Sequence, residues 1–302
     1  MIVTCGEALV DLMPEMVDGA LMYRPVLGGS LYTVALGIAR LGGSSGYLWE
    51  LSCDALGQRF RAELDEAGVD CTAVRTSQRA SPVAVVDMSG PEPRYNIADP
   101  DGVMVDTALP DLPDHTTCLQ IGSAVLARDP VGAAIESLAE KAPFLTIDYN
   151  VRAPSIVDRE AYCARLRRIA SSSGIVKASV ADIGMLGEGD PEAYMEDLIA
   201  MGATAAVLTK GGDGASIRTA RAHAHTKTRA HTVTDPVGAG DSFMAALLYR
   251  LQADGALFKE KVCQYREHEL AGLIDYAQAA AAFTCARKGA IMPRAENLVE
   301  HM

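Results

Sequence analysis

The sharpest chemical signal in the chain is the run Thr234-Asp235-Pro236-Val237-Gly238-Ala239-Gly240-Asp241-Ser242-Phe243, which opens an apolar helical stretch ending near Leu248. Small residues ahead of a helix let the backbone come close to a ligand, and the unpaired N–H groups of the first turn point at any anion placed there. The carboxylate in that turn, Asp241, stands where a general base would meet an acceptor hydroxyl beside a phosphate under transfer. Taken alone, the pattern has a second reading. Asp235 or Asp241 caps the helix and the glycines make a tight turn, which is the commoner outcome for an isolated Gly-x-Gly-Asp. Elsewhere, His223-Ala224-His225 puts two imidazoles on one side of a candidate strand, a spacing seen in metal sites. With Arg221, Lys227 and Arg229 flanking them and no third ligand nearby, a solvated strand face is the stronger reading.

The elements that must position these residues alternate in type. Apolar runs over 2–10, 144–148, 175–178 and 205–209 read as buried strands, and 30–41, 55–67, 239–251 and 267–287 as helices. Such alternation implies a largely parallel sheet covered by helices on both faces. Two segments break the rhythm: residues 21–27, and 82–88 with 94–97 around the turn Ser89-Gly90-Pro91-Glu92-Pro93. They read as strands outside the main sheet, forming either a β-lid over an active site or a surface hairpin. No repeat, low-complexity tract or long linker divides the chain.

Bulk properties narrow the class. The 302 residues are 49% hydrophobic, enough for a large core in one α/β domain with an appendage. A net charge of −12 excludes a polyanion-binding surface, because nucleic-acid affinity depends on Lys and Arg neutralising phosphates. A small phosphate ligand remains compatible where backbone N–H groups and Mg²⁺ supply the local positive potential. Residues 1–7 carry no basic stretch before an apolar core, so the expectation is a cytosolic protein without a secretory signal. Apolar runs fall well short of the roughly 20 residues that span a membrane. The seven cysteines are scattered without a close pair, which fits reduced thiols.

The complete string from Asp235 to Phe243 resembles the C-terminal signature of the ribokinase-like (PfkB) carbohydrate kinases, with Pro236 where the family has Thr. A second string, Gly28-Gly29-Ser30-Leu31-Tyr32-Thr33-Val34-Ala35 running on to Arg40-Leu41-Gly42, resembles the family's Gly-Gly motif. Together with residues 6–11 and Asp148-Tyr149-Asn150-Val151-Arg152, the chain is more similar to bacterial fructokinases than to ribokinase. The resemblance implies a three-layer α/β/α sandwich spanning residues 1–302, with a β-lid from roughly 12–28 and 81–100. It also implies phosphoryl transfer from MgATP to a sugar, fructose first, with 2-keto-3-deoxygluconate, another sugar, a nucleoside or a non-catalytic binder as alternatives.

Carried onto this sequence, the resemblance makes Asp241 the base and Gly238, Ala239 and Gly240 the anion hole. It makes Asp11, Gly28, Gly29, Thr33 and Arg152, with Asp241, the sugar ligands. A carboxylate such as Asp11 accepts two hydroxyls at once, although capping a strand end is its plainer role. Lys177, Ser179, Thr209, Gly211, Gly214, Gly238, Gly240 and Gln278 become nucleotide contacts, and Asp182 the group that organises Mg²⁺. For Gly211 and Gly214 a simple hairpin turn is the ordinary reading. The family further brings dimerisation through the lid and, in some members, K⁺ near the anion hole. Thr33, Ser179, Asp182 and Gln278 depart from the usual Asn, Asn, Glu and Asn.

Overall fold

The computed structural model describes residues 1–90, 94–228 and 232–301. Strand β1 (Ile2–Cys5) runs through a break at Gly6-Glu7-Ala8 into the hairpin β2 (Leu9–Val17) and β3 (Ala20–Gly28), followed by helix α1 (Ser30–Arg40). Next come β4 (Ser45–Ser52), α2 (Ala55–Ala67), β5 (Val74–Ser77), β6 (Val83–Asp87), β7 (Arg94–Ala98) and the short α3 (Val103–Asp106). The middle of the chain alternates β8 (Cys118–Gly122), α4 (Val131–Ala139), β9 (Leu145–Asp148), α5 (Arg159–Ser172) and β10 (Ile175–Ser179). Then follow α6 (Val180–Leu186), α7 (Pro191–Met201), β11 (Ala205–Thr209), β12 (Ala215–Thr219) and β13 (His223–Thr226). Helices α8 (Ala239–Ala253), α9 (Lys259–Val262) and α10 (Glu267–Cys285) complete the chain's regular elements.

Nine strands form the central sheet in the order β13-β12-β11-β10-β9-β8-β1-β4-β5. Pairings from β11 to β5 are parallel, and antiparallel β12 and β13 close one edge. Successive side chains go to opposite faces. In β11, Ala205 and Val207 pack with Phe243 and Leu247 of α8 and Leu273 of α10. Ala206 and Leu208 pack with Leu166 of α5 and Leu198 of α7 on the other face. Because both faces are covered, these strands read as unbroken apolar runs rather than as alternation. The result is the three-layer α/β/α sandwich.

The run 2–10, read as one strand, is two. β1 lies in the central sheet, whereas β2 leaves it to build a second, four-stranded sheet in the order β3-β2-β6-β7. The corner needs Gly6, where a Cβ would sit 2.6 Å from Leu31 Cδ2. Both halves of the run are buried, and only Gly6-Glu7 between them marks the corner. The second sheet therefore begins at Leu9 rather than at residue 12. Residues 91–93 of the expected turn lie outside the described residues, as does Arg229. Strands β4, β5, β8 and β12 were not anticipated, and the last long helix ends at Cys285 rather than at 287. His223 and His225 lie exposed on β13, and the described residues contain no metal-holding cluster of three His, Cys, Asp or Glu.

Candidate active site

In open parallel sheets, ligands bind at the carboxyl ends of the strands, where the strand order changes direction. Here that point lies between β1 and β8, because β4 and β5 continue on one side and β9 to β13 on the other. Glu7 follows β1 and Ser123 follows β8, and Ser123 Oγ donates to Glu7 Oε1 at 2.6 Å.

A narrow cavity of about 60 Å³ opens at this point, bounded by Glu7, Asp11, Gly28, Gly29, Ser30, Thr33, Tyr95, Arg152, Gly238 and Asp241. All the sugar-side residues named from the sequence meet here. Glu7 Oε2 and Asp11 Oδ1 are buried without a hydrogen-bond partner among the described residues. Burial pushes the Glu7 carboxyl up to about 7, against the Ser123 hydrogen bond. Burial likewise lifts Asp11 to about 7, opposed by Arg152 and assisted by Asp241 and Glu7. Gly29 has φ +100, and a Cβ on it would collide with the Glu7 carbonyl, so only glycine brings α1 this close to the strand end. The Arg152 guanidinium lies 4.8 Å from the centroid of the Tyr95 ring, tying the second sheet to the loop after β9.

Helix α8 starts at the cavity. Its N-cap is Gly238, at φ +80 and without a side-chain cap, and a Cβ there would meet Ala290 Cβ at 2.5 Å. Neither aspartate caps this helix. Asp235 accepts from Val237 N at 3.0 Å and Gly289 N at 2.9 Å, which fixes the loop against the segment after α10. Asp241 points into the cavity, where Ser30 Oγ donates to its Oδ1 at 2.6 Å. Desolvation raises the Asp241 carboxyl above the ordinary aspartate range, opposed by Ser30, Arg152 and Lys177. Met13 and Val86 of the second sheet pack on Val237, so that sheet rests on the loop that leads into α8.

On the other side of the same helix turn lies a cleft of about 720 Å³. Lys177, Ser179, Asp182, Thr209, Gly211, Gly214, Ala239, Gly240 and Gln278 all line it, while Gly238 belongs to the cavity side. Lys177 Nζ donates to Asp148 Oδ2 at 2.7 Å in a buried pair, and Asp148 Oδ1 has no partner among the described residues. Burial lifts the Asp148 carboxyl to about 6 against the pull of Lys177. The Asp182 carboxylate serves first as a helix cap: it accepts from Ser179 N and Oγ and from Val151 N, each at 2.7 Å. Gly211 and Gly214 form the turn between β11 and β12 and also wall the cleft. Gln278 is engaged with Thr226 and Thr228.

The description of pfkB family carbohydrate kinases matches residues 2–297 of the chain. The chain belongs to this family. The kinase is 33% identical over 278 residues to a fructokinase of Rhizobium leguminosarum bv. trifolii, covering 89% of this chain and 85% of that one. It is 29% identical over 303 residues to a fructokinase of Escherichia coli, covering 95% and 93%. In fold it resembles a fructokinase with bound ATP from Xylella fastidiosa, at TM-score 0.85, 21% identity and coverage of 99% and 97%. It also resembles a fructokinase from Vibrio cholerae O395 in a fructose-, ADP- and calcium-bound form, at TM-score 0.82, 23% identity and coverage of 99% and 98%. The kinase is thus a sugar phosphotransferase with the ribokinase-like fold.

Several cavity residues of the kinase were not singled out from its sequence: Glu7, Ser30, Tyr95 and Ser123. Glu7 had a signal, a carboxylate set inside an otherwise apolar run. Ser30 and Ser123 had none, because their roles arise from partners 211 and 116 residues away. Asp148 stood in a recognised string, but its buried pairing with Lys177 is visible only in three dimensions.

Proposed function

We propose that this kinase transfers the γ-phosphate of MgATP to a hydroxyl of a neutral ketose, with fructose as the first candidate. The observation that carries the reading is the position of α8. Gly238 and Asp241 face the cavity, while Ala239 and Gly240 of the same turn face the cleft. A donor in the cleft and an acceptor in the cavity therefore meet at one helix N-terminus. Asp241 takes the proton of the acceptor hydroxyl as its oxygen attacks the γ-phosphorus, and the bond to the bridging oxygen breaks to leave ADP. The N–H groups of Gly240 and Asp241 aim at the charge that develops on the phosphoryl group. Asp182 keeps one lone pair beyond its three hydrogen bonds, which fits Mg²⁺ carried in by the phosphates with most of its hydration shell. That ion, when bound, would neutralise phosphate charge.

The cavity's chemistry favours a neutral sugar. Glu7, Asp11 and Asp241 face one cation, Arg152, a poor setting for the carboxylate of 2-keto-3-deoxygluconate. The two unpartnered carboxylate oxygens suit sugar hydroxyls as donors. Tyr95, the aromatic ring in the cavity lining, has Arg152 over one face, so that face is not open to a nucleoside base. The second sheet acts as a lid, and a cytosolic setting suits an ATP-dependent enzyme whose seven cysteines are all free. The lid's outward face is apolar along β2 and β3 and polar along β6 and β7, and we assign its apolar part to dimerisation.

A coupled ADP-release assay tests the reading with MgATP, with and without K⁺, against fructose, ribose, 2-keto-3-deoxygluconate and nucleosides. Turnover is expected on fructose, near background without sugar, and lower by roughly 10²- to 10⁴-fold for Asp241→Asn with the KM for ATP unchanged. Turnover on the sugar acid alone would overturn the ketose reading. Substantial kcat in Asp241→Asn would remove the base.

A further inference from the structure

We infer that Ser30 is the positioning residue for Asp241, holding the carboxylate in the orientation that leaves Oδ2 for the acceptor proton; this rests on the general-base reading above. Ser30 is the first residue of α1, behind Gly29, which supplies no side-chain cap. A serine at a helix start ordinarily bonds its own turn or solvent. This one is buried, and its Oγ donates to Asp241 Oδ1 at 2.6 Å. That length belongs to a charge-assisted bond. The N-termini of α1 and α8 thereby converge on one carboxylate, and both helix dipoles favour its ionised form. Among the described residues Ser30 is the only hydrogen-bond donor to the Asp241 side chain, and Oδ2 has no hydrogen-bond partner. A carboxylate so placed and lacking that bond is free to turn toward Arg152 or Lys177, whose charges act on it without a hydrogen bond. Glu7 and Asp11, from the β1–β2 corner and β2, and Asp148, at the end of β9, are the other charged groups facing it. The Asp241 charge raises all three of these carboxyls. The hydroxyl therefore both orients the base and helps keep it ionised.

The test is the pH dependence of kcat in Ser30→Ala, Ser30→Thr and Asp241→Asn, each on MgATP with the sugar that the panel identifies. Ser30→Ala is expected to lose roughly 10- to 100-fold in kcat, the worth of a hydrogen bond to a charged group, with the KM for ATP unchanged. Its acidic limb moves to higher pH, because the ionised base has lost its donor. Ser30→Thr, which keeps the hydroxyl, holds the wild-type limb and most of kcat. If Ser30→Ala proves poorly folded by its melting curve, Ser30→Cys takes its place, since a thiol keeps the size but donates weakly. Wild-type kcat and limb in Ser30→Ala or Ser30→Cys would overturn the inference. So would equal losses in the alanine and threonine variants with no movement of the limb, which would mark a packing role. Activity retained in Asp241→Asn would instead sink the general-base reading itself; loss in that variant with none in Ser30→Ala removes Ser30 alone.

Discussion

Glu7 and Asp11 each keep a buried carboxylate oxygen without a donor among the described residues, an arrangement that costs stability in the sugar-free enzyme and that the hydroxyls of a bound polyol would relieve on the function proposed above. Both folded-state carboxyls are raised to about 7, above their unfolded values, so the folded chain holds these protons more tightly. The stability they contribute is present below the unfolded values and is lost as pH rises through about 7. The sugar-free enzyme should therefore melt lower at about pH 8 than at about pH 5, and sugar should raise Tm more at the higher pH. Glu7→Gln removes a charge but keeps an acceptor for Ser123. It is expected to raise the sugar-free Tm by a few degrees at the alkaline end, to flatten the pH slope, and to raise the KM for sugar roughly tenfold. Melting curves at both pH values check this, and an unchanged slope in Glu7→Gln would show that its carboxyl does not titrate there.

At the scale of elements, the turn that opens α8 separates two kinds of glycine. Gly238 sits at φ +80 with Ala290 against it, so Gly238→Ala should cost roughly 1–3 kcal/mol of stability and misplace the N–H groups behind it. Gly240 has only Lys177 Nζ at 3.7 Å near its virtual Cβ. Gly240→Ala should keep Tm while its methyl intrudes on the cleft and raises the KM for ATP. Differential scanning calorimetry and nucleotide kinetics on the pair separate the two costs, and a stable, fully active Gly238→Ala would refute the first. This turn was legible in the sequence because the chemistry is contiguous. α2 was legible to the residue, since Asp54 caps it through Gly57 N and Gly68 ends it in the left-handed region. The β1–β2 corner was missed, because both sides of it are apolar and buried and Gly6-Glu7 is the one mark between them. β8 escaped because its Gln120 breaks the apolar run, and the partner that satisfies that side chain, Thr146, lies on the neighbouring strand. A strand's pairing partner, like the Ser30–Asp241 bond, is a long-range fact that local pattern does not carry.

For the whole molecule, the second sheet has two faces with different fates. Asp11, Met13, Ala84, Val86 and Tyr95 turn inward over the cavity and the α8 loop. The alternate positions, Leu12, Pro14 and Met16 opposite Pro25, Tyr23 and Leu21, with Val85 beside Leu12, face outward. Met16 is 67% exposed, Leu21 57% and Tyr23 44%, and with Leu12, Pro14, Pro25 and Val85 they form an apolar patch, while Asp87, Arg94 and Asn96 on β6 and β7 make the rest of this face polar. The apolar patch that β2 and β3 present on this face, in a protein of net charge −12, is a surface that asks for cover. On the dimer proposed above, a second copy would supply it symmetrically, each patch packing on its twin. Because the inward face of the same sheet rests on Val237, a partner that stiffened the sheet would also steady the loop that leads into α8. Placing glutamates at the opposed pair Met16 and Leu21 would set four like charges against one another in such a dimer. Met16→Glu/Leu21→Glu is therefore expected to sediment as a monomer where the native enzyme sediments as a dimer, with kcat reduced through the loosened lid and Tm of the core little changed. A native enzyme that sediments as a monomer at assay concentration, or a double variant that stays dimeric, would place the interface elsewhere and leave this face to another partner.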